Sequence, residues 1–162
     1  MTAADLNLSI PDMLLRLGVA AVVGLILGLD RELKGIPAGL RTHALVSLSS
    51  AAITYSALEI HVQLWTAGDP ATDPLRVVQG LAQAIGFIAA GMIFVNRGGG
   101  VKNMTSAANL WLATAVGVAS GAGQYALVAA TTAIGVALLT AVRLFENHAP
   151  RKKRDPAPES LD

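Results

Sequence analysis

In a chain of 162 residues that is 53% hydrophobic and only 14% charged, polar groups are too few to clothe a water-soluble domain, where about a quarter of residues are charged. The formal charge of +1 excludes nothing by itself, but the absence of cysteine excludes disulfides, thiolate metal sites and cysteine nucleophiles. Five apolar segments of about twenty residues would occupy about 100 positions and leave little for a soluble domain.

The first predicted helix covers 10–29. Ser9 and Asp12 have the spacing of a capping box, and Pro11 stands where a missing N–H is harmless. Twenty helical residues rise about 30 Å, the thickness of the hydrocarbon core. Arg16 lies one turn inside and is expected to snorkel outward. Asp5 and Asp12 precede any basic residue, so a cleaved signal peptide is not expected. The second helix is predicted over 40–58. The third runs over 74–95, with Asp73 as its cap and Pro74 at the first helical position. The fourth covers 104–119 and carries Asn109, and the fifth covers 125–145. Residues 146–162 read as a disordered basic tail with the run Arg151-Lys152-Lys153-Arg154.

Ten of the twelve Lys and Arg residues fall on one side of a five-helix arrangement, and only Arg16 and Arg76 fall on the other. The positive-inside rule then predicts an all-α polytopic bundle with an external N-terminus and a cytoplasmic C-terminus. A weak internal repeat at an offset of 63 aligns Gly28, Lys34, Gly35, Thr42 and Ala44 with Gly91, Arg97, Gly98, Thr105 and Ala107.

The densest polar stretch is Asp30-Arg31-Glu32-Leu33-Lys34, followed by Pro37 to His43. It reads either as an interfacial turn, with Asp30 pairing Lys34, or as a cytoplasmic recognition surface. His43, Ser47, Ser50 and Thr54 share one face of the second helix. Arg76, Gln79, Gln83, Gly86 and Ala90 share a face of the third, and Ser106, Asn109, Ala113, Val116 and Ser120 a face of the fourth. Lipid offers no hydrogen bonds, so these stripes are expected to meet inside the bundle, by close packing or around a polar cavity. Gly24 with Gly28, and Gly117 with Gly121, make small-xxx-small pairs that set close crossings. Gly98-Gly99-Gly100 reads as a flexible turn, because no strand precedes it and no Gly-Lys-Ser/Thr follows. His43, His61 and His148 lack zinc-type spacing, and the predicted spans hold no Asp or Glu at mid-depth. No enzyme chemistry, cofactor or metal site is therefore expected, and Glu59 is expected to pair with Arg76.

Residues 24–46 (GLILGLDRELKGIPAGLRTHALV), 73–95 (DPLRVVQGLAQAIGFIAAGMIFV) and the run Thr105 to Trp111 within 101–123 resemble, in order, three signatures of the MgtC/SapB family of bacterial membrane proteins. Three departures stand out. Asp30 replaces the usual Glu, Asn103-Met104 replaces Gly-Leu, and the third helix has fewer glycines than the family run. Longer members carry a C-terminal ACT-type domain, for which this chain is too short. The resemblance implies a multi-pass protein of the bacterial plasma membrane linked to magnesium limitation and, in pathogens, to survival inside host cells. It implies a modulator of other membrane machinery, with a proton-driven ATP synthase as one proposed target. By motif position the functional candidates are Asp30, Arg31, Glu32, Gly39, Arg41, Thr42, His43, Asp73, Arg76, Thr105 and Asn109. Gln83 joins them from its place on the polar face of the third helix.

The sequence thus predicts a non-enzymatic protein that influences ion or proton homeostasis by contacting membrane partners. Its expected surroundings are the lipid bilayer, a membrane-protein partner and further copies of itself, with no nucleic acid. A transporter or channel for a cation such as Mg²⁺, which would need the polar faces to line a continuous wet path, and a purely structural subunit are the alternatives.

Overall fold

The computed structural model describes residues 9–68, 73–95 and 101–148. Five helices follow in chain order: α1 (Ile10–Leu33), α2 (Leu40–Thr66), α3 (Leu75–Met92), α4 (Met104–Gly121) and α5 (Tyr125–His148). A two-residue antiparallel ladder joins α3 to α4, pairing β1 (Phe94–Val95) with β2 (Val101–Lys102). By length and composition α1, α2 and α3 can each cross a membrane, and the described apolar part of α5 is shorter.

Most helices outrun the predicted bounds. α1 continues to Leu33, so Asp30, Arg31 and Glu32 form its last turn instead of a loop, closed by the backbone N–H of Lys34 donating to the Arg31 carbonyl and that of Gly35 to the Glu32 carbonyl. α2 runs on to Thr66, and α4 to Gly121. α3 stops at Met92, short of Val95, because the next residues turn into the ladder. Asn103 then caps both sides of the hairpin. It takes a left-handed conformation (φ 66°), which Asn tolerates, and its Nδ2 donates to the Met92 carbonyl at 3.1 Å. At the other end of α3 the Asp73 carboxylate accepts from Leu75 N at 2.9 Å, one position later than foreseen. α5 extends to His148, so the tail expected from 146 starts in helix, and residues 149–162 lie outside the described residues.

The inner triad is α1, α2 and α4, with α3 and α5 packed on the outside of α4. Glycines decide how closely the triad closes. A Cβ at Gly24 would lie 2.6 Å from the His43 carbonyl oxygen, and one at Gly28 would lie 2.8 Å from that of Gly39. On α4, a Cβ at Gly117 would meet the Ser47 carbonyl, and one at Gly121 that of Ala51. Both small-xxx-small pairs therefore press backbone against α2, as predicted. Gly91, aligned with Gly28 by the internal repeat, has nothing within 4 Å, so the repeat is not matched in packing there.

Among the residues whose burial is described, α4 is the most buried helix, with Ala107, Leu110, Ala113, Val116 and Gly117 all in the core. Shielded from lipid by its neighbours, it can carry Ser106, Asn109, Thr114 and Ser120 without exposing them to hydrocarbon. The apolar contacts between α1, α4 and α5 gather Val23, Leu27, Ala113, Val116, Ala119 and Val128.

The face of α3 predicted to point inward does not. Ile85 and Ala89 are its buried residues, whereas Arg76, Gln79, Gln83 and Ala90 are exposed. The apolar side of α3 gives better contact with the outside of α4, and its glycines at 80, 86 and 91 touch nothing within 4 Å. Glu59 and Arg76 make no ion pair with each other.

Replacing Gly117 by Ala is expected to lower the thermal unfolding temperature in detergent, by a destabilisation of about 1–3 kcal/mol from overpacking. Gly86→Ala is expected to leave it unchanged or slightly raised, because that site is open and helical Gly costs up to about 1 kcal/mol relative to Ala.

Candidate functional site

Both ends of α1 carry a buried arginine. Near its start, Arg16 is 6% exposed. It does not snorkel. Its Nη1 donates to the Gly121 carbonyl at 2.9 Å, and Nε stands 2.6 Å from Asp12 Oδ2. Ser120 Oγ returns a bond to the Arg16 carbonyl at 2.7 Å, and the guanidinium lies over the Tyr55 ring, 5.6 Å from its centre. The guanidinium thus binds the negative end of the α4 dipole, where a cation is favoured. Sequence reasoning missed this site because Gly121 is 105 positions away and carries no side chain.

At the opposite end the structure gathers Arg31, His43 and Asn109. His43 is fully buried. Its Nδ1 is 3.0 Å from the Gly39 carbonyl and must donate to it, so Nε2 is left as an acceptor. Asn109 Nδ2 lies 2.9 Å from that Nε2 and 3.0 Å from the Leu27 carbonyl. Both amide hydrogens therefore meet acceptors, which fixes the amide orientation and the neutral His43 tautomer together. One asparagine so ties α4 to α1 and α2 at a single point.

Arg31 is 6% exposed and within electrostatic reach of His43. Its Nε, with Asn109 Oδ1 and Ser47 Oγ, is buried without a hydrogen-bond partner among the described residues. One donor and two acceptor atoms are thus left open in the buried seam that holds the His43 imidazole.

Glu32 and Gly39 have a structural task. Glu32 Oε2 accepts from Leu40 N at 3.2 Å, so the last turn of α1 caps the first turn of α2. A side chain at Gly39 would collide with that carboxylate. Asp30 Oδ2 pairs with Lys34 Nζ at 2.5 Å, as the spacing predicted. Arg41 and Thr105 are exposed at this end, and Thr42 is half-buried. Asp73 and Arg76 sit at the start of α3, at the other end of the bundle, and Gln83 faces outward. These three do not join the site. Arg97 lies outside the described residues, and no group of three His, Asp or Glu placed to hold a metal ion occurs among those described.

The family model for the MgtC family matches residues 17–148. Over 115 residues the chain is 36% identical to SapB of Bacillus subtilis (strain 168), covering 71% of this chain and 50% of that protein. It is 34% identical over 138 residues to MgtC of Brucella abortus (strain 2308), covering 82% and 54%. YhiD of Escherichia coli (strain K12), by name a candidate magnesium transporter, is 32% identical over 116 residues, covering 72% and 54%. The chain spans about half the length of these curated relatives. No solved structure matches it.

Asn109→Leu is expected to destabilise the protein by about 1–3 kcal/mol, because it strips His43 Nε2 of its donor in a buried place. Thr105→Ala, at an exposed site, is expected to leave the unfolding temperature unchanged. Glu32→Ala is expected to cost about 1 kcal/mol through the lost cap of α2, and Glu32→Gln less, since an acceptor remains. Thermal unfolding of the purified variants in one detergent checks all three.

Proposed function

The chain belongs to the MgtC family, and on that premise we propose a non-enzymatic protein of the bacterial inner membrane. It influences ion or proton balance under magnesium limitation by contacting other membrane proteins, not by conducting ions through its own helices. It crosses the bilayer five times, with the N-terminus external and the C-terminus cytoplasmic. Exposed Arg41, Lys34 and Lys102 at the Arg31 end support that orientation. At the opposite end Arg16 is buried and bonded to Gly121, which leaves Arg76 as the exposed basic residue there among the described residues.

The observation that carries this reading is the pair of buried guanidinium groups. The polar seam between α1, α2 and α4 runs from Arg16 past Thr54, Ser50 and Ser47 to His43, Asn109 and Arg31. Its ends stand about 22 Å apart along α1. A cation following the seam would meet the buried Arg31 guanidinium at one end, a fixed positive charge of the kind by which channels exclude cations, and the closed Arg16–Asp12 ion pair at the other. Between those ends, glycines bring backbones into direct contact, and the side chains at 27, 110, 113 and 116 are fully buried. A hydrated magnesium ion, which gives up its water reluctantly, has no room there.

A second reading, a cation transporter, draws on the unpartnered Ser47 Oγ and Asn109 Oδ1, which offer oxygen ligands inside the seam. Purified protein in liposomes loaded with a magnesium indicator separates the two. Uptake equal to that of empty liposomes is expected. In parallel, a deletion strain at low magnesium is expected to regain growth with the wild-type protein and less with Arg41→Ala. Magnesium uptake by the pure protein that is lost in Asn109→Leu would replace the contact reading with transport.

A further inference from the structure

The outward stripe of α3 cannot rest against lipid as it stands. Gln79 and Gln83 are exposed, and neither side-chain amide has a hydrogen-bond partner among the described residues. Gln83 is the ninth residue of an 18-residue helix, so it lies about 13 Å from either end. A glutamine side chain is too short to bring its amide to the interface from that depth. Hydrocarbon offers neither donor nor acceptor, and a bare primary amide in it is costly. No other outward helix face carries an amide at mid-length among the described residues. Around the two glutamines the stripe holds Phe87, 83% exposed, with Ala90 below it and Gly80 between the amides. Nothing of the chain lies within 4 Å of a Cβ built at Gly80, so a neighbouring helix can come close there.

We propose that this stripe is the contact between two copies of the chain, related by a two-fold axis along the membrane normal. Insertion gives every copy the same orientation and the same depth. Such an axis therefore sets Gln83 opposite the partner subunit's Gln83, and Gln79 opposite the partner subunit's Gln79. A primary amide both donates and accepts, so each pair satisfies itself with no further group required. Charge agrees with the same axis. Asp73 and Arg76 are exposed three residues apart at the start of α3, and the two-fold brings each Asp73 towards the partner subunit's Arg76. An acyl chain would leave the amides unpaired. An unrelated helix would need polar groups matched at two depths. The dimer holds whether or not the protein conducts an ion, because the stripe lies outside the polar seam.

The chain has no cysteine, so a single introduced thiol reports on its own position. In native membranes under mild oxidation, Phe87→Cys and Ala90→Cys are expected to give disulfide-linked dimers. Ile134→Cys, outward on α5 and 60% exposed, is expected to give none. Energy transfer between labelled copies in liposomes is expected to show association that weakens about tenfold when Gln79 and Gln83 are both replaced by Leu. Those side chains are exposed and make no hydrogen bond within the described residues of the monomer, so the variant is expected to keep its fold, which its unfolding temperature checks. Equal cross-linking at 87 and 134, none at 87 and 90, a wild-type protein that is monomeric in liposomes, or unchanged association in the double variant would each overturn the proposal. A monomeric protein whose Phe87→Cys thiol instead links to a different membrane protein would hand the stripe to that partner.

Discussion

Hydrocarbon offers no hydrogen bonds, so every polar group within the membrane must find its partner in protein, and this constraint organises the bundle. Its consequence is clearest in α4, which touches the other helices on most of its surface and yet carries serine, threonine and asparagine. Burial in such a bundle selects for small size and satisfied polarity more than for apolar character. The glycines at 24, 28, 117 and 121 belong to the same logic, since van der Waals contact between backbones replaces the hydrophobic drive that lipid removes.

The triad is tied at its two ends by different chemistry. At one end a full charge meets a helix terminus, where the Arg16 guanidinium takes the carbonyl of Gly121 and the Ser120 hydroxyl answers to α1. At the other end a neutral relay runs from the Gly39 carbonyl through His43 to Asn109 and the Leu27 carbonyl. The relay depends on His43 staying neutral with its proton on Nδ1. A second proton on Nε2 would set it against the Asn109 N–H. Beside that relay lies Arg31, a buried charge whose Nε has no partner among the described residues, and buried polarity left open is found more often at functional than at purely structural places.

Much of this was legible in the sequence. Helical spacing identified the polar stripes of α2 and α4, and both glycine pairs were read as close crossings. What periodicity cannot give is the partner of each stripe. His43 and Asn109 are 66 positions apart, and nothing local says that their faces meet one turn from Leu27. Arg16 was misjudged for a related reason: a basic residue one turn from a helix end usually reaches water, and the competing acceptor is a main-chain carbonyl that no side chain announces. Glu32 looked like part of a polar turn, interfacial or recognising, and its carboxylate caps the next helix, lodged against Gly39.

The reading of α3 failed for a more instructive reason. Its glutamines were assigned to the interior on the sound premise that lipid cannot satisfy them, yet the interior is already closed by α1 and α2 around α4. The premise survives if the inside of the protein is taken to be the inside of an assembly. α3 then has two working faces, an apolar one that holds it to α4 and an amide-bearing one reserved for contact between chains. Its sparse burial within one chain, only Ile85 and Ala89, is what a helix lying between two bundles requires. Contact through α3 would leave Arg41 and Thr105, exposed at the Arg31 end of each chain, to meet a different protein.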